Sequence, residues 1–122
     1  MAFTVTARLP TAAIVAAVES YARAVQAIAW VTFIEVFDRL MRGQGTRDLA
    51  GRLPVRTGRT RATCRVYVTT DGIWVRLTFY GTVSRHIRPV WESWILQNAE
   101  SYARRAIQLA IPIIRSRIGA LG

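Results

Sequence analysis

Phe3-Thr4-Val5-Thr6-Ala7-Arg8-Leu9 alternates apolar and polar side chains, which sets Phe3, Val5, Ala7 and Leu9 on one face of a short strand. Pro10 ends that strand, and Thr11 is placed to cap a helix. Ile14, Val18, Tyr21, Val25 and Ile28 then recur at spacings of four and three, the stripe of an amphipathic helix. Glu19 with Arg23, Glu35 with Arg39 and Asp38 with Arg42 form i,i+4 pairs on its outside, and Gly43 is the natural stop. As one helix over residues 12–42 this element would be about 46 Å long, whereas a compact domain of this chain length is roughly 35 Å across. The helix must therefore break or project. Trp30, Val31, Phe33, Ile34, Val36, Phe37, Leu40 and Met41 point in too many directions for one buried face, which favours projection into a neighbour. A helix bent over its own sheet is the alternative.

The clearest local signal lies further on. Residues 63–70 and 73–80 flank Asp71-Gly72, a pair suited to a two-residue type I′ hairpin turn. That turn fixes the register. Val68 faces Val75, Val66 faces Leu77 and Cys64 faces Phe79 on one side, while Thr69/Trp74, Tyr67/Arg76 and Arg65/Thr78 share the other. A cation–π contact between Tyr67 and Arg76 follows from the pairing. Two strands alone are marginal, so the segment 3–9, or a strand from a neighbouring chain, should complete the sheet. Pro89 then opens a second helix whose stripe is Trp91, Ile95, Ala99, Tyr102, Ala106, Leu109 and Ile113, with Glu100 set to pair with Arg104. Pro112 removes a helical hydrogen bond and should kink or end that helix near residue 109, leaving 112–122 as a basic tail. The expected class is α+β in a single domain: strand 3–9, long helix 12–42, basic loop 43–62, hairpin 63–80, helix 89–111 and tail.

Charge changes this picture. The 122 residues carry 17 basic side chains against 7 acidic ones, a net +10, and every basic residue is arginine. Guanidinium forks bind phosphate and carboxylate bidentately, so a partner rich in either fits, although a GC-biased genome also writes Arg in place of Lys. Seven arginines from Arg42 to Arg65 face a single acid, Asp48, in a stretch poor in apolar residues that a partner would order. Arg47, Arg52, Arg56, Arg59, Arg61, Arg85 and Arg88 are the candidate contacts to DNA or to an acidic protein. No helix-turn-helix, zinc finger or aromatic stacking platform is evident in the sequence, so any DNA binding should be independent of base sequence.

Catalytic chemistry finds little support. The single histidine, His86, sits in a basic connector whose arginines favour its neutral form. Cys64 faces inward in the expected hairpin, which makes a Cys64/His86 dyad improbable. There is no P-loop, dinucleotide turn, HExxH helix or carboxylate pair, so neither enzyme activity, cofactor nor metal is expected. One cysteine suits a reducing cytoplasm, and residues 1–10 lack the pattern of a secretory signal. Glu19, Arg23 and Gln26 interrupt the most apolar window, against a membrane span.

Three marks in order carry a resemblance: a helix followed by Leu53-Pro54-Val55-Arg56-Thr57-Gly58-Arg59, a hairpin closing on Phe79-Tyr80-Gly81-Thr82, and Pro89 opening a terminal helix. This layout resembles the small phage proteins of the head–tail joining or tail-completion family, over roughly residues 12–110. Where that family commonly has a glutamate before its Gly-Thr pair, this chain has Tyr80. The resemblance implies an α+β subunit without catalysis, forming a homo-oligomeric ring in the virion neck. Its neighbours would be portal or adaptor and tail proteins, around a channel carrying packaged DNA, with assembly in the host cytoplasm. Trp30, Phe33, Phe37, Leu53, Pro54, Thr57, Gly58, Gly81, Thr82, Trp91 and Trp94 are then the expected contacts to sister subunits or partners.

Overall fold

Strict alternation in the first residues produces β1, Ala2–Arg8, whose inward face of Phe3, Val5 and Ala7 is buried together with Leu9 just beyond it. The computed structural model in which this is seen describes residues 2–42, 64–69, 74–80, 85 and 88–121. β2, Arg65–Val68, and β3, Trp74–Tyr80, form the expected antiparallel pair in the expected register, with Val66 opposite Leu77 and Val68 opposite Val75. Thr69 faces Trp74 beyond the ladder through a 3.0 Å bond from the Thr69 N–H to the Trp74 carbonyl. The turn residues Asp71 and Gly72 lie outside the described residues. β1 completes the sheet by pairing antiparallel with β3, from Ala2 opposite Tyr80 to Arg8 opposite Trp74, so the order is β1-β3-β2 with β3 central.

The long first helix is where sequence and structure part. It breaks into α1, Thr11–Glu19, and α2, Gln26–Met41, joined through a 3₁₀ turn at Arg23–Val25. The chain changes direction by 116° across this joint. No glycine or proline causes the break; local polar groups close it. Ser20 Oγ donates to the Ala17 carbonyl at 2.7 Å, the Tyr21 N–H reaches the Val18 carbonyl at 3.2 Å, and Ala22 takes an extended ψ of 141°. Gln26 Nε2 then spans the joint to the Tyr21 carbonyl at 3.1 Å. Thr11 is the first helical residue rather than the cap, its hydroxyl turned back 3.4 Å from the Leu9 carbonyl.

Folding back allows α2 to bury what a projecting helix would have exposed. Phe33, Val36, Phe37, Leu40 and Met41 are all in the core, Trp30 and Ile34 are half-buried, and of the eight large apolar side chains only Val31 stays half exposed. Projection into a neighbour is thus corrected: the chain supplies its own cover. Glu19 and Arg23 fall on opposite sides of the helix end, which removes their i,i+4 geometry, whereas Asp38 and Arg42 pair at 3.0 Å as expected. Arg42 Nε also donates to the Cys64 carbonyl at 2.9 Å, tying the end of α2 to the start of β2.

α3, Arg88–Gly119, is a single helix of 32 residues with Pro112 inside it. The expected stop near residue 109 and the basic tail are therefore corrected. Proline forfeits one hydrogen bond at a cost of about 3 kcal/mol in a helix interior, but the turns beyond it have their own attachments. Ile114 is buried, and Arg117 reaches α2, donating to Glu35 Oε2 at 2.7 Å and to Thr32 Oγ1 at 2.8 Å. Glu35 consequently serves α3, not its expected partner Arg39. The buried stripe begins as expected with Trp91, Ile95, Ala99, Tyr102 and Ala106, then drifts by one residue to Ala110 and Ile114. α2 and α3 pack side by side on the inner face of the sheet, α3 against β1 and α2 against β2, with α1 against both helices. Phe79 centres the core, edge-on to Trp91 at 5.1 Å and 6.3 Å from the Phe3 ring.

Candidate functional site

The residues expected to meet partners separate into three groups. Phe33, Phe37 and Trp91 are buried inside this subunit, so they build the core and offer no surface; their assignment to an interface is corrected. Trp30 and Trp94 are half-buried, with Trp30 6.0 Å from the Phe33 ring and Trp94 5.3 Å from the Tyr102 ring. Leu53, Pro54, Thr57, Gly58, Gly81 and Thr82 lie outside the described residues, as do His86 and five of the arginines, Arg47, Arg52, Arg56, Arg59 and Arg61. Arg85 is exposed, and Arg88, in the first turn of α3, holds its guanidinium 6.0 Å from the Phe3 ring.

Two surfaces are left with unusual chemistry. The first follows Pro89. Pro89, Val90, Ser93, Trp94 and Gln97 line a shallow groove of about 430 Å³ along the start of α3, and Val90 is 49% exposed. Spacings of four and three put Val90, Trp94 and Gln97 on one stripe, the geometry by which a helix presents itself to a second helix.

The second surface is the outer face of the sheet. β1 contributes Thr4, Thr6 and Arg8, β3 contributes Trp74, Arg76, Thr78 and Tyr80, and β2 contributes Arg65 and Tyr67, with Thr69 just beyond its end. Tyr67, Trp74 and Tyr80 are 53%, 45% and 55% exposed, against 1% for the core tyrosine Tyr102. The Arg76 guanidinium lies 5.0 Å from the centre of the Tyr67 ring, the contact the hairpin register called for. The Thr69 hydroxyl donates to the Trp74 carbonyl at 3.2 Å and accepts from the Trp74 N–H at 3.1 Å, pinning the backbone under the indole.

No family model matches this sequence, and no curated protein or solved structure is similar enough to it to count as a match.

The aromatic grid on the sheet is what the sequence concealed in part. The hairpin register already set Tyr67 and Trp74 on one face, but their exposure and the Thr4, Thr6 and Arg8 that β1 adds beside them come only with the assembled sheet. Among the described residues no group of three His, Cys, Asp or Glu side chains could hold a metal ion. Cys64 is buried and carries no disulfide. No single helix among the described residues is long and apolar enough to cross a membrane.

Proposed function

We propose that this chain is a structural subunit of the neck of a tailed phage or phage-like particle, assembling through its own copies into a ring that joins head to tail. The observation that carries this is the groove at the opening of α3, where Val90 is half exposed beside the half-buried Trp94, next to the proline that marks the terminal helix in the resemblance. A groove of this kind is matched by a second copy presenting a different patch, and such head-to-tail contacts close into rings. The α+β layout, the ordered Pro-x-x-Thr-Gly and Gly-Thr signals in the sequence and its arginine-rich composition support the same assignment. Partners would be portal or adaptor and tail proteins, with packaged DNA nearby.

Mass photometry and negative-stain electron microscopy across a concentration series test it. The expected result is a ring-sized species that Val90→Asp disperses into monomers without lowering thermal stability. Wild-type protein that remains monomeric at high concentration, and forms no ring when portal or tail partners are added, refutes it. A second function, sequence-independent DNA binding by a free-standing protein, is favoured by the net +10 charge. It predicts tight duplex binding by a small oligomer, with a steep loss of affinity as salt rises.

A further inference from the structure

We propose that the outer face of the sheet binds single-stranded nucleic acid, with bases stacking on Tyr67 and Trp74 and phosphates meeting Arg8, Arg65 and Arg76. The site does not depend on ring assembly: a monomer could carry it.

Four observations lead here. None of the residues of β1, β2 and β3 is acidic, while this face carries three arginines, so its field favours a polyanion. Its aromatic side chains are exposed and can stack on a base, since every base offers a π-face whatever the sequence. Tyr67 and Trp74 sit diagonally across the β2–β3 pair, a separation of about 7–8 Å between such positions. Between them lies an open depression of about 390 Å³, lined by Thr6, Tyr67, Thr69, Trp74 and Arg76. That is room for a base, and Arg76, already against Tyr67, presents its outer guanidinium plane as a second stacking surface.

Preorganisation is the fourth. The Trp74 backbone is held by two bonds to the Thr69 hydroxyl and one from the Thr69 N–H, and β3 is paired on both sides, so the backbone of the platform is ordered before any ligand arrives. Single strands are favoured over duplex for a physical reason. In a duplex the base faces are stacked on one another, and an aromatic side chain reaches them only by unstacking a step at a cost of a few kcal/mol. A strip three strands across is about 10 Å wide from edge to edge. It suits one extended backbone. Thr4 and Thr78, bonded hydroxyl to hydroxyl at 3.2 Å, lie along the path from Trp74 toward Tyr80 and supply polar contacts there.

Fluorescence anisotropy with labelled oligo-dT, oligo-rU and a mixed-sequence duplex of equal length tests the site on the full chain. Expected are tighter binding of the single strands than of the duplex, and a loss of about tenfold or more in Trp74→Ala, the order of one stacked base. Trp74→Phe should retain most of the affinity. Tyr67→Leu provides the same test if Trp74→Ala disturbs folding, with circular dichroism as the check. The ratio of oligo-dT to oligo-rU affinity distinguishes DNA from RNA as the source of the strand. Equal or tighter binding of duplex, or single-strand binding indifferent to both Trp74→Ala and Tyr67→Leu, overturns the proposal in favour of arginine electrostatics alone. Loss of self-association in Trp74→Ala, with no single-strand binding by wild type, overturns it in favour of a protein interface.

Discussion

Arg117 is the fastener for the part of α3 that lies beyond its internal proline, and removing it should loosen that part first. The guanidinium contacts Glu35 at 2.7 Å and Thr32 at 2.8 Å, with side-chain exposures of 40% and 42% for Arg117 and Glu35. At that exposure solvent screens most of the Coulomb attraction, so the ion pair is worth about 0.5–1 kcal/mol rather than the larger values of buried pairs. Thr32 is fully buried but keeps its bond to the Ile28 carbonyl at 2.7 Å, so loss of the arginine leaves its hydroxyl donor satisfied. The total expected for Arg117→Gln is about 1 kcal/mol, or a fall of about 4 °C in melting temperature for a domain of this size. Urea denaturation of Arg117→Gln, Glu35→Gln and the double variant gives the coupling directly, expected at about 0.5–1 kcal/mol and reduced in high salt. Hydrogen exchange should quicken selectively over residues 113–119. Strict additivity of the two single variants, or exchange that quickens evenly over the whole chain, would refute the fastening role.

Phe79→Ala empties the centre of the core and should cost about 3–5 kcal/mol, read as a lower urea midpoint with an unchanged slope. Val18→Leu extends a half-buried side chain into the apolar cavity of about 90 Å³ between α1, α2 and α3, and should raise stability by up to about 1 kcal/mol in the same assay. Pro112→Ala restores a helical N–H at an exposed position and should raise the melting temperature, by an amount equivalent to about 1–3 kcal/mol.

The sheet was legible in the sequence because its information is local. A turn read at Asp71-Gly72 gave the register of the four pairs from Arg65/Thr78 to Val68/Val75, and a period of two assigned Phe3, Val5, Ala7 and Leu9 to the core. The length of the first helix called for a break or a projection, and the bent alternative is the one observed; the position of the break was not legible, because nothing between Glu19 and Gln26 is a strong breaker, and Ser20, Tyr21 and Ala22 all tolerate helix. Its cause is tertiary. Burying Ile14 and the α2 aromatics on one core recovers more than the few hydrogen bonds forfeited at the joint, and no window along the chain displays that comparison. Pro112 misled for the same reason, since Ile114 and Arg117 act through contacts with elements eighty positions away. The interface set went wrong at Phe33 and Phe37 because a helix expected to project was assumed to lack cover, and at Trp91 because a residue of the buried stripe was also given to a partner. Trp94 was placed on the right element by the proline alone, whereas Arg88, expected just before the helix, is the first residue of α3.

The strand order has a consequence for how this protein is made. β1 pairs with a partner strand that leaves the ribosome about seventy residues later, and at ordinary translation speeds of 5–20 residues per second that is a delay of roughly 4–14 s. Until then the apolar face of Phe3, Val5 and Ala7 has neither β3 to pair with its strand nor α3 to cover it. A nascent chain in that state is a natural client for chaperones, and synthesis in their absence should yield inclusion bodies.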